Sequence, residues 1–200
     1  MSEALRVLVA IDGPHLEPFE AVLDALEEEN ADVVLGPALL LGVGPSAALY
    51  LRQCGIRAWL DTSAVLGAES ADAVGRIVQR VGAAGVVVAE GTSLDAVANL
   101  VARAGAVRVL VRLDPDQAAA AGERAQALLA TGVHGVIVGA SHLAGLGEPA
   151  TAIFFEHGEG LSPAAAGRDL GLRWAGSVNH AIARDLEPAQ ALRRARVEGA

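Results

Sequence analysis

The segment RAWLDTSAVLGAESADAVGRIVQRVGAAGVVVAEGTSLDAVANLVARAGAVRVLVRLD, residues 57–114, contains in one run the pattern that decides the fold. Short runs rich in Val, Leu and Ala alternate with longer stretches in which apolar residues recur at helical spacing. The short runs are almost continuously apolar, which is typical of parallel strands covered on both faces by helices. The segment therefore predicts strands at Arg57–Asp61, Val86–Glu90 and Val107–Asp114, with helices at Ser70–Val81 and Leu94–Ala102 between them.

The same alternation extends over the whole chain. The other predicted strands are Arg6–Asp12, Asp32–Gly36, Gly135–Ala140, Ala152–His157 and Arg173–Val178. The other predicted helices are Pro18–Glu29, Pro45–Gln53, Asp116–Ala130 and Pro188–Val197. Ser141–Ala150 is expected to be too short and too rich in glycine for a full helix. Eight such units without a linker favour closure over an open doubly wound sheet, so we predict an α/β chain forming a single (β/α)8 TIM barrel over residues 1–200.

The composition of the chain limits the kinds of molecule that it could bind and the compartment in which it could act. The formal net charge is −9, so phosphate backbones and anionic lipids would be repelled unless a local basic patch existed, and none is apparent. No apolar run approaches the roughly 20 residues that span a bilayer, and the start of the chain lacks the pattern of a signal peptide. The one cysteine, Cys54, cannot form an internal disulfide and suits a reducing compartment. We therefore expect a cytoplasmic protein that acts on a small molecule and binds neither nucleic acid nor a membrane.

A second feature of the composition bears directly on chemistry. All fifteen basic residues are arginine, and the chain contains no lysine. Schiff-base chemistry on a lysine is therefore excluded, as is any mechanism in which a lysine donates a proton. GC-rich codon usage favours arginine over lysine, but that bias would not normally remove a catalytic lysine.

Polar residues collect where the predicted strands end. In (β/α)8 barrels the chemistry takes place at the C-terminal ends of the strands. Strand ends are exposed to solvent in any protein, so exposure to water alone could explain each single polar residue at these positions. The residues at these ends are Asp12, Asp61, Ser63, Glu90, Arg112, Asp114, Ser141, His142, Glu156, His157, Asn179 and His180.

Three segments resemble a known family. VAIDGPHLEPFEAVLDAL at residues 9–26, the run from Asp32 to Asp61 and SVNHAIARDLEPAQALRRA at residues 177–195 resemble orotidine-monophosphate decarboxylases and their relatives, the keto-gulonate-phosphate decarboxylases and hexulose-phosphate synthases. The resemblance implies a barrel of the ribulose-phosphate-binding type, with Asp12 touching the substrate. It also implies a homodimer with active sites near the interface.

The chain departs from that family at the catalytic motif. The third strand of the family carries Asp-x-Lys-x-x-Asp, in which the lysine protonates the carbanion left by carbon dioxide. Here the matching stretch is LDTSAVL, with Asp61 in the first position, Ser63 in place of the lysine and Leu66 in place of the second aspartate. Val34 stands where the second strand of the family carries a lysine or a metal-binding glutamate. The usual decarboxylation route is therefore not available to this chain.

The phosphate contacts implied by the resemblance are altered as well. The Gly-Arg pair that follows the eighth strand of the family is replaced by Asn179 and His180, which removes the guanidinium contact. The backbone around Gly158 could still cradle an anion, but Glu156 and Glu159 would place negative charge beside it. A hydroxyl, an amide or a carboxylate suits these residues at least as well as a phosphate.

The remaining polar residues suggest a diverged enzyme that acts as a lyase, a decarboxylase or a proton-transfer catalyst on a small polar carbonyl, sugar or nucleoside-like metabolite. A carboxylate in an apolar barrel mouth has a raised pKa and can exchange protons near neutrality, as histidine can. For Glu90, a salt bridge to Arg112 is an alternative. The catalytic candidates are Asp61, Glu90, His142 and His180. The candidates for binding substrate are Asp12, Ser63, Arg112, Asp114, Ser141, Glu156, His157, Gly158 and Asn179.

Two further alternatives remain open. No cofactor is expected, although a hard divalent cation would find oxygen ligands at Asp61 and Glu90, and zinc or iron would favour the histidines. Neither HxH nor HExxH spacing supports a metal site. The chain could also be a non-catalytic barrel, a regulatory or scaffold subunit that forms a homodimer or pairs with an active paralogue.

Overall fold

The computed structural model describes residues 6–11, 32–63, 70–89, 91–113, 121–139, 152–156 and 174–175. For residues 6–11, 121, 138–139, 152–156 and 174–175 it describes the backbone alone.

Eight parallel strands form one sheet in this part of the chain. Neighbouring strands follow the order β7-β6-β5-β4-β3-β2-β1-β8, and the two ends of that order, β7 and β8, also contact each other. The sheet therefore closes on itself, which confirms the predicted barrel. The strands are β1 Arg6–Ile11, β2 Asp32–Leu35, β3 Arg57–Asp61, β4 Gly85–Ala89, β5 Arg108–Arg112, β6 Gly135–Gly139, β7 Ala152–Glu156 and β8 Trp174–Ala175.

Helices alternate with these strands. Within the described residues they are α1 Pro37–Gly42, α2 Ser46–Gln53, α3 Ala71–Val81, α4 Leu94–Ala104 and α5 Ala121–Ala130. None of these five is long and apolar enough to cross a membrane. The predicted helices Pro18–Glu29 and Pro188–Val197 and the connection Ser141–Ala150 lie outside the described residues.

The short helix α1 was not predicted from the sequence. PALLLG is too short for helical periodicity to show, and its apolar residues continue the pattern of the preceding strand. Pro37 at the first helical position lacks the N–H that would be unsatisfied there, and its fixed φ favours the start of a helix. Helix α1 follows β2 after one residue, Gly36, and therefore lies at the C-terminal end of the barrel.

In β2 to β6, where the structure describes side chains, both faces are buried, which explains why these strands are almost continuously apolar. On the outer face, strand residues such as Val33, Leu60 and Val86 pack beneath the helices. On the inner face, one residue from each of five strands forms a separate cluster inside the barrel, consisting of Val34, Trp59, Val87, Leu110 and Ile137.

Trp59 is the largest side chain of this inner cluster. Its side chain is fully buried, and its indole lies over Gly85 on the neighbouring strand β4. A Cβ atom at residue 85 would overlap the six-membered ring of this indole, so β4 must begin with glycine. Aromatic residues make up only 3% of the chain, so large side chains are rare. The packing of one tryptophan against a glycine fills space that several aliphatic side chains would otherwise occupy.

A hydrogen-bonded cluster closes the N-terminal end of β2 and β3. The buried carboxylate of Asp32 accepts hydrogen bonds from Arg57 Nε at 2.9 Å and from Arg57 Nη2 at 2.8 Å to each oxygen. Trp59 Nε1 donates to the same carboxylate at 2.9 Å. Because the N-terminal face of such barrels serves stability, we assign this cluster a structural role.

Candidate functional site

Asp61 and Arg112 face the interior of the barrel at its C-terminal end. Side chains alternate between the two faces of a strand, so residues two apart share a face. Asp61 comes two residues after Trp59 on β3, and Arg112 comes two residues after Leu110 on β5. Trp59 and Leu110 both belong to the inner cluster. The last residues of these two strands therefore project inward, above the apolar interior.

An ion pair joins these two residues across the intervening strand β4. Arg112 Nη2 donates a hydrogen bond to Asp61 Oδ2 at 2.9 Å. On β4, Ala89 stands in register with Arg112 and shares the inward face with Val87. The side chain of Ala89 is a single methyl group, which leaves room for the longer Arg112 side chain to reach over β4.

The two partners differ in their access to solvent. The Asp61 side chain is 7% exposed, whereas the Arg112 side chain is 34% exposed. The second carboxylate oxygen, Asp61 Oδ1, accepts a hydrogen bond from the backbone N–H of Ser63 at 3.0 Å. Asp61 is thus held from two directions within the protein, and the group that faces solvent is the guanidinium.

The turn after β3 is fixed by hydrogen bonds of its own. Thr62 donates its hydroxyl to the carbonyl oxygen of Val87 at 2.8 Å, and its backbone N–H bonds to the same oxygen. Ser63, which stands where the resembling family has its lysine, contacts Asp61 through its backbone. Position 63 thus has no ammonium group, and its backbone N–H helps to orient the Asp61 carboxylate.

Both residues of the pair were predicted from the sequence as site residues, but their contact with each other was not predicted. The predicted alternative was a salt bridge from Arg112 to Glu90 on the adjacent strand, and Glu90 lies outside the described residues. Counting in steps of two from the buried Trp59 and Leu110 places both charged residues on the inner face, but it does not show that they contact each other.

Most of the other candidates are not described. Glu156 ends β7 and stands in register with Gly139 of β6, which places its backbone at the C-terminal end of the barrel, as expected. The candidates that lie outside the described residues are Asp12, Glu90, Asp114, Ser141, His142, His157, Gly158, Asn179 and His180.

Metal ligands were also considered from the sequence. Within the described ranges, no three side chains of His, Cys, Asp or Glu come close enough to hold a metal ion together. Asp61 is described and Glu90 is not. A cation bound by Asp61 would have to share that carboxylate with the guanidinium of Arg112.

His134, the described histidine, lies away from this pair. It precedes β6, and its Nδ1 accepts a hydrogen bond from the backbone N–H of Val109 at 3.1 Å, near the N-terminal end of β5. Partial desolvation lowers the pKa of His134 below its ordinary value, and the positive charge of Arg108 lowers that pKa further. This histidine belongs to the face of the barrel opposite to the candidate site.

Comparisons with known proteins bear on the fold. No protein-family model and no curated protein matches the chain. Among solved structures, an orotidine 5'-phosphate decarboxylase from Lactobacillus acidophilus has a TM-score of 0.82 at 16% identity, over 98% of this chain and 99% of that one. KGPDC from Streptococcus mutans has a TM-score of 0.78 at 19% identity, over 98% of this chain and 97% of that one.

A 3-hexulose-6-phosphate synthase is similar over the same extent, with a TM-score of 0.72 at 22% identity, over 98% of this chain and 99% of that one. All three identities lie below 25%, so the similarity extends to the fold. This chain therefore has the same (β/α)8 barrel fold as these solved structures.

Proposed function

We propose that this chain is a diverged enzyme of the barrel type just described. It would act as a lyase, a decarboxylase or a proton-transfer catalyst on a small polar carbonyl, sugar or nucleoside-like metabolite, without a lysine. The observation that carries the proposal is the ion pair between Asp61 and Arg112 at the C-terminal end of the barrel. The decarboxylases and the synthase to which the chain is similar in fold support the general class of activity.

The position of the pair favours a functional explanation over one based on stability. Removing a carboxylate from water is costly, and a buried ion pair often stabilises a fold no better than apolar residues of similar volume. At the N-terminal end, Asp32 is bound bidentately by Arg57 and receives the Trp59 N–H as well. Asp61 is bound through a single guanidinium nitrogen, at the face where such barrels carry out chemistry.

The contacts of Asp61 suggest how roles are divided within the site. Because both of its oxygens accept hydrogen bonds from the protein, Asp61 is better placed to orient Arg112 than to act as a free general base. Proton transfer would then be carried out by the remaining candidates, Glu90, His142 and His180. No cofactor is required by this scheme.

The proposal includes a cytoplasmic location and a homodimer. Helix α1, helix α2 and the turn between them expose several large apolar side chains, with 75% of Leu41, 39% of Val43 and 42% of Tyr50 accessible. Clustered apolar side chains on a surface favour association with another protein surface. Light scattering on the purified chain, compared with Leu41→Glu, would measure this directly, and a monomeric wild-type chain would contradict the homodimer.

Ligand-dependent thermal stability tests the enzymatic proposal. The panel contains nucleoside monophosphates, pentulose phosphates and their phosphate-free or carboxylate analogues, each with and without magnesium or zinc. A ligand at about 100 times its dissociation constant should stabilise the fold by about 2.7 kcal/mol, which is visible as an increase in Tm. Compounds that raise Tm are then assayed for carbon dioxide release and for deuterium uptake from solvent. Binding without turnover, or no binding at all, would favour a non-catalytic regulatory or scaffold subunit.

A further inference from the structure

We propose that Arg112 takes the place of a divalent cation beside Asp61, so that the site acts without a metal ion and excludes Mg²⁺. The inference rests on the proposed function and deepens it, because the family that the sequence resembles includes members with a metal-binding glutamate on the second strand.

The first argument comes from the donor atoms that a cation would meet. Mg²⁺ takes oxygen ligands in nearly octahedral geometry and is usually held by one or two carboxylates. The position of the metal-binding glutamate on β2 is occupied by Val34, which offers no ligand atom. Val34 is 5% exposed and packs in the inner cluster. Of the two positions, only the one on β3 keeps a carboxylate, that of Asp61.

The second argument comes from the contacts of that carboxylate. Asp61 Oδ2 accepts a hydrogen bond from Arg112 Nη2 at 2.9 Å, and Oδ1 accepts one from the backbone N–H of Ser63 at 3.0 Å. The Asp61 side chain is 7% exposed, so little of either oxygen is open to an incoming ion. An ion that coordinated Oδ2 would lie next to the guanidinium.

The third argument comes from charge. A guanidinium keeps its proton at any pH at which the protein is folded, so the positive charge beside Asp61 is permanent. Its repulsion of a divalent ion is strong at this short range, because water screens a largely buried site only weakly. The chain has no lysine, so arginine supplies this charge. Arg112 neutralises Asp61 as a metal ion would, and it does so through the bond that it already makes.

Thermal unfolding with and without Mg²⁺ tests the inference, with ionic strength matched by sodium chloride. We expect Mg²⁺ to leave the Tm of the wild-type chain unchanged. In Arg112→Gln the buried carboxylate loses its charged partner, and about 10 mM Mg²⁺ should raise Tm by about 2–4 °C, as for an ion with a dissociation constant of about 1 mM. Arg112→Lys is the charge-matched control and should not respond.

Luminescence of Tb³⁺ shows whether the ion is at Asp61. Tb³⁺ occupies the oxygen sites of hard cations, and its emission is sensitised by a nearby indole. Trp59 lies two residues before Asp61 on the same face of β3, which is about 7 Å along the strand. Arg112→Gln should therefore give sensitised emission that the double variant Arg112→Gln, Asp61→Asn lacks. The wild-type chain should give no more emission than Asp61→Asn.

Arg108→Gln is the control for position, because Arg108 lies on the same strand and the same face at the opposite end of the barrel. It should respond to Mg²⁺ and Tb³⁺ as the wild-type chain does. Circular dichroism confirms that each variant is folded. If Arg112→Gln does not fold, the comparison of the wild-type chain with Asp61→Asn still decides whether an ion binds at Asp61.

The inference is overturned if the wild-type chain responds to either ion and Asp61→Asn does not, or if Arg112→Gln responds no more than the wild-type chain or Arg112→Lys. A response that persists in Asp61→Asn comes from another part of the chain and agrees with the inference. Turnover that requires both Mg²⁺ and Asp61 would overturn only the role of Arg112. Exclusion of cations by Arg112, without turnover of any compound, would overturn only the enzymatic proposal.

Discussion

Arg112, the last residue of β5, reaches across β4 and donates a hydrogen bond from Nη2 to Oδ2 of Asp61, the last residue of β3, over 2.9 Å. The pair joins two strands that share no backbone hydrogen bonds with each other. One partner is almost fully buried and the other is partly open to solvent. Substituting Arg112 should therefore change the free energy of unfolding by a different amount from substituting Asp61.

We expect Arg112→Met to lower the free energy of unfolding by about 2–4 kcal/mol, because a buried carboxylate loses its charged partner. Asp61→Asn should cost only about 1 kcal/mol, since the amide oxygen can still accept the Ser63 N–H and the Arg112 side chain is 34% exposed to solvent. Urea unfolding measures both values. In the exposed Asp72–Arg103 pair, Arg103→Met should cost less than about 0.5 kcal/mol. Equal losses at Asp61 and Arg112 would contradict the difference in burial.

The contact between Trp59 and Gly85 gives a second prediction. Gly85→Ala should destabilise the fold by about 1–3 kcal/mol, because the added methyl group overlaps the buried indole. Gly91→Ala is the control, since a Cβ atom there would meet no heavy atom within 4 Å, and it should change stability by less than about 0.5 kcal/mol. Thermal unfolding compares the two. The double variant Gly85→Ala, Trp59→Leu should cost less than the sum of its single changes, and simple additivity would count against the steric explanation.

Two threonines with the same burial should respond differently to substitution by valine. Thr62 and Thr92 are each 8% exposed and each follow the end of a strand. The Thr62 hydroxyl donates to Val87, so Thr62→Val should cost about 1 kcal/mol. Chemical denaturation of the two valine variants provides the comparison.

The Thr92 hydroxyl is buried and has no hydrogen-bond partner in the structure, so Thr92→Val should leave stability unchanged or raise it slightly. A loss at Thr92 as large as that at Thr62 would show that its hydroxyl is satisfied in solution.

His134 should make stability depend on pH. Because the fold lowers the pKa of this histidine, the folded chain favours the neutral ring, whose Nδ1 accepts the Val109 N–H. The stability contributed by His134 is therefore fully present above the ordinary pKa of 6.5, and it is lost as the pH falls through 6.5 towards the lower folded value. The ring is exposed, so screening should limit the loss to about 1 kcal/mol or less.

The control for this prediction is His134→Asn, which offers an acceptor oxygen that does not titrate in this range. Denaturant unfolding at about pH 8 and about pH 5 should show that the wild-type chain loses more stability than this variant. Parallel changes in the two proteins would indicate that other groups cause the pH dependence.

The sequence predicted the strands well where their two faces are both apolar. Arg57–Asp61 was predicted with the bounds that the structure shows, and the strand predicted at Val86–Glu90 begins one residue earlier, at Gly85, while Glu90 lies outside the described residues. Gly85 lies outside the predicted strand, and glycine is in general unfavourable inside strands. The structure includes it in β4 because the Trp59 indole requires a residue without a side chain. A local preference was thus overridden by a contact from another strand.

Two further differences between the predicted and the observed elements each have a physical reason. The strand predicted at Val107–Asp114 is observed as Arg108–Arg112, because the ends of a strand depend on which backbone groups its neighbours can reach. Helix α1 was not predicted, since six residues are too few to reveal a helical period. The candidate site was predicted as a set of strand ends, and among its described residues the structure adds the contacts of Asp61 with Arg112 and with the backbone of Ser63.

The sequence by itself determined the alternation of strands and helices, the two apolar faces of each strand and the absence of lysine, because these are properties of neighbouring residues and of composition. The tertiary structure decided that the sheet closes and that Asp61 pairs with Arg112. These residues are 51 positions apart in the chain, and their side chains meet only because strand order and register bring the ends of β3 and β5 together above Ala89. Contacts between such distant residues depend on how the strands assemble, which no local pattern specifies.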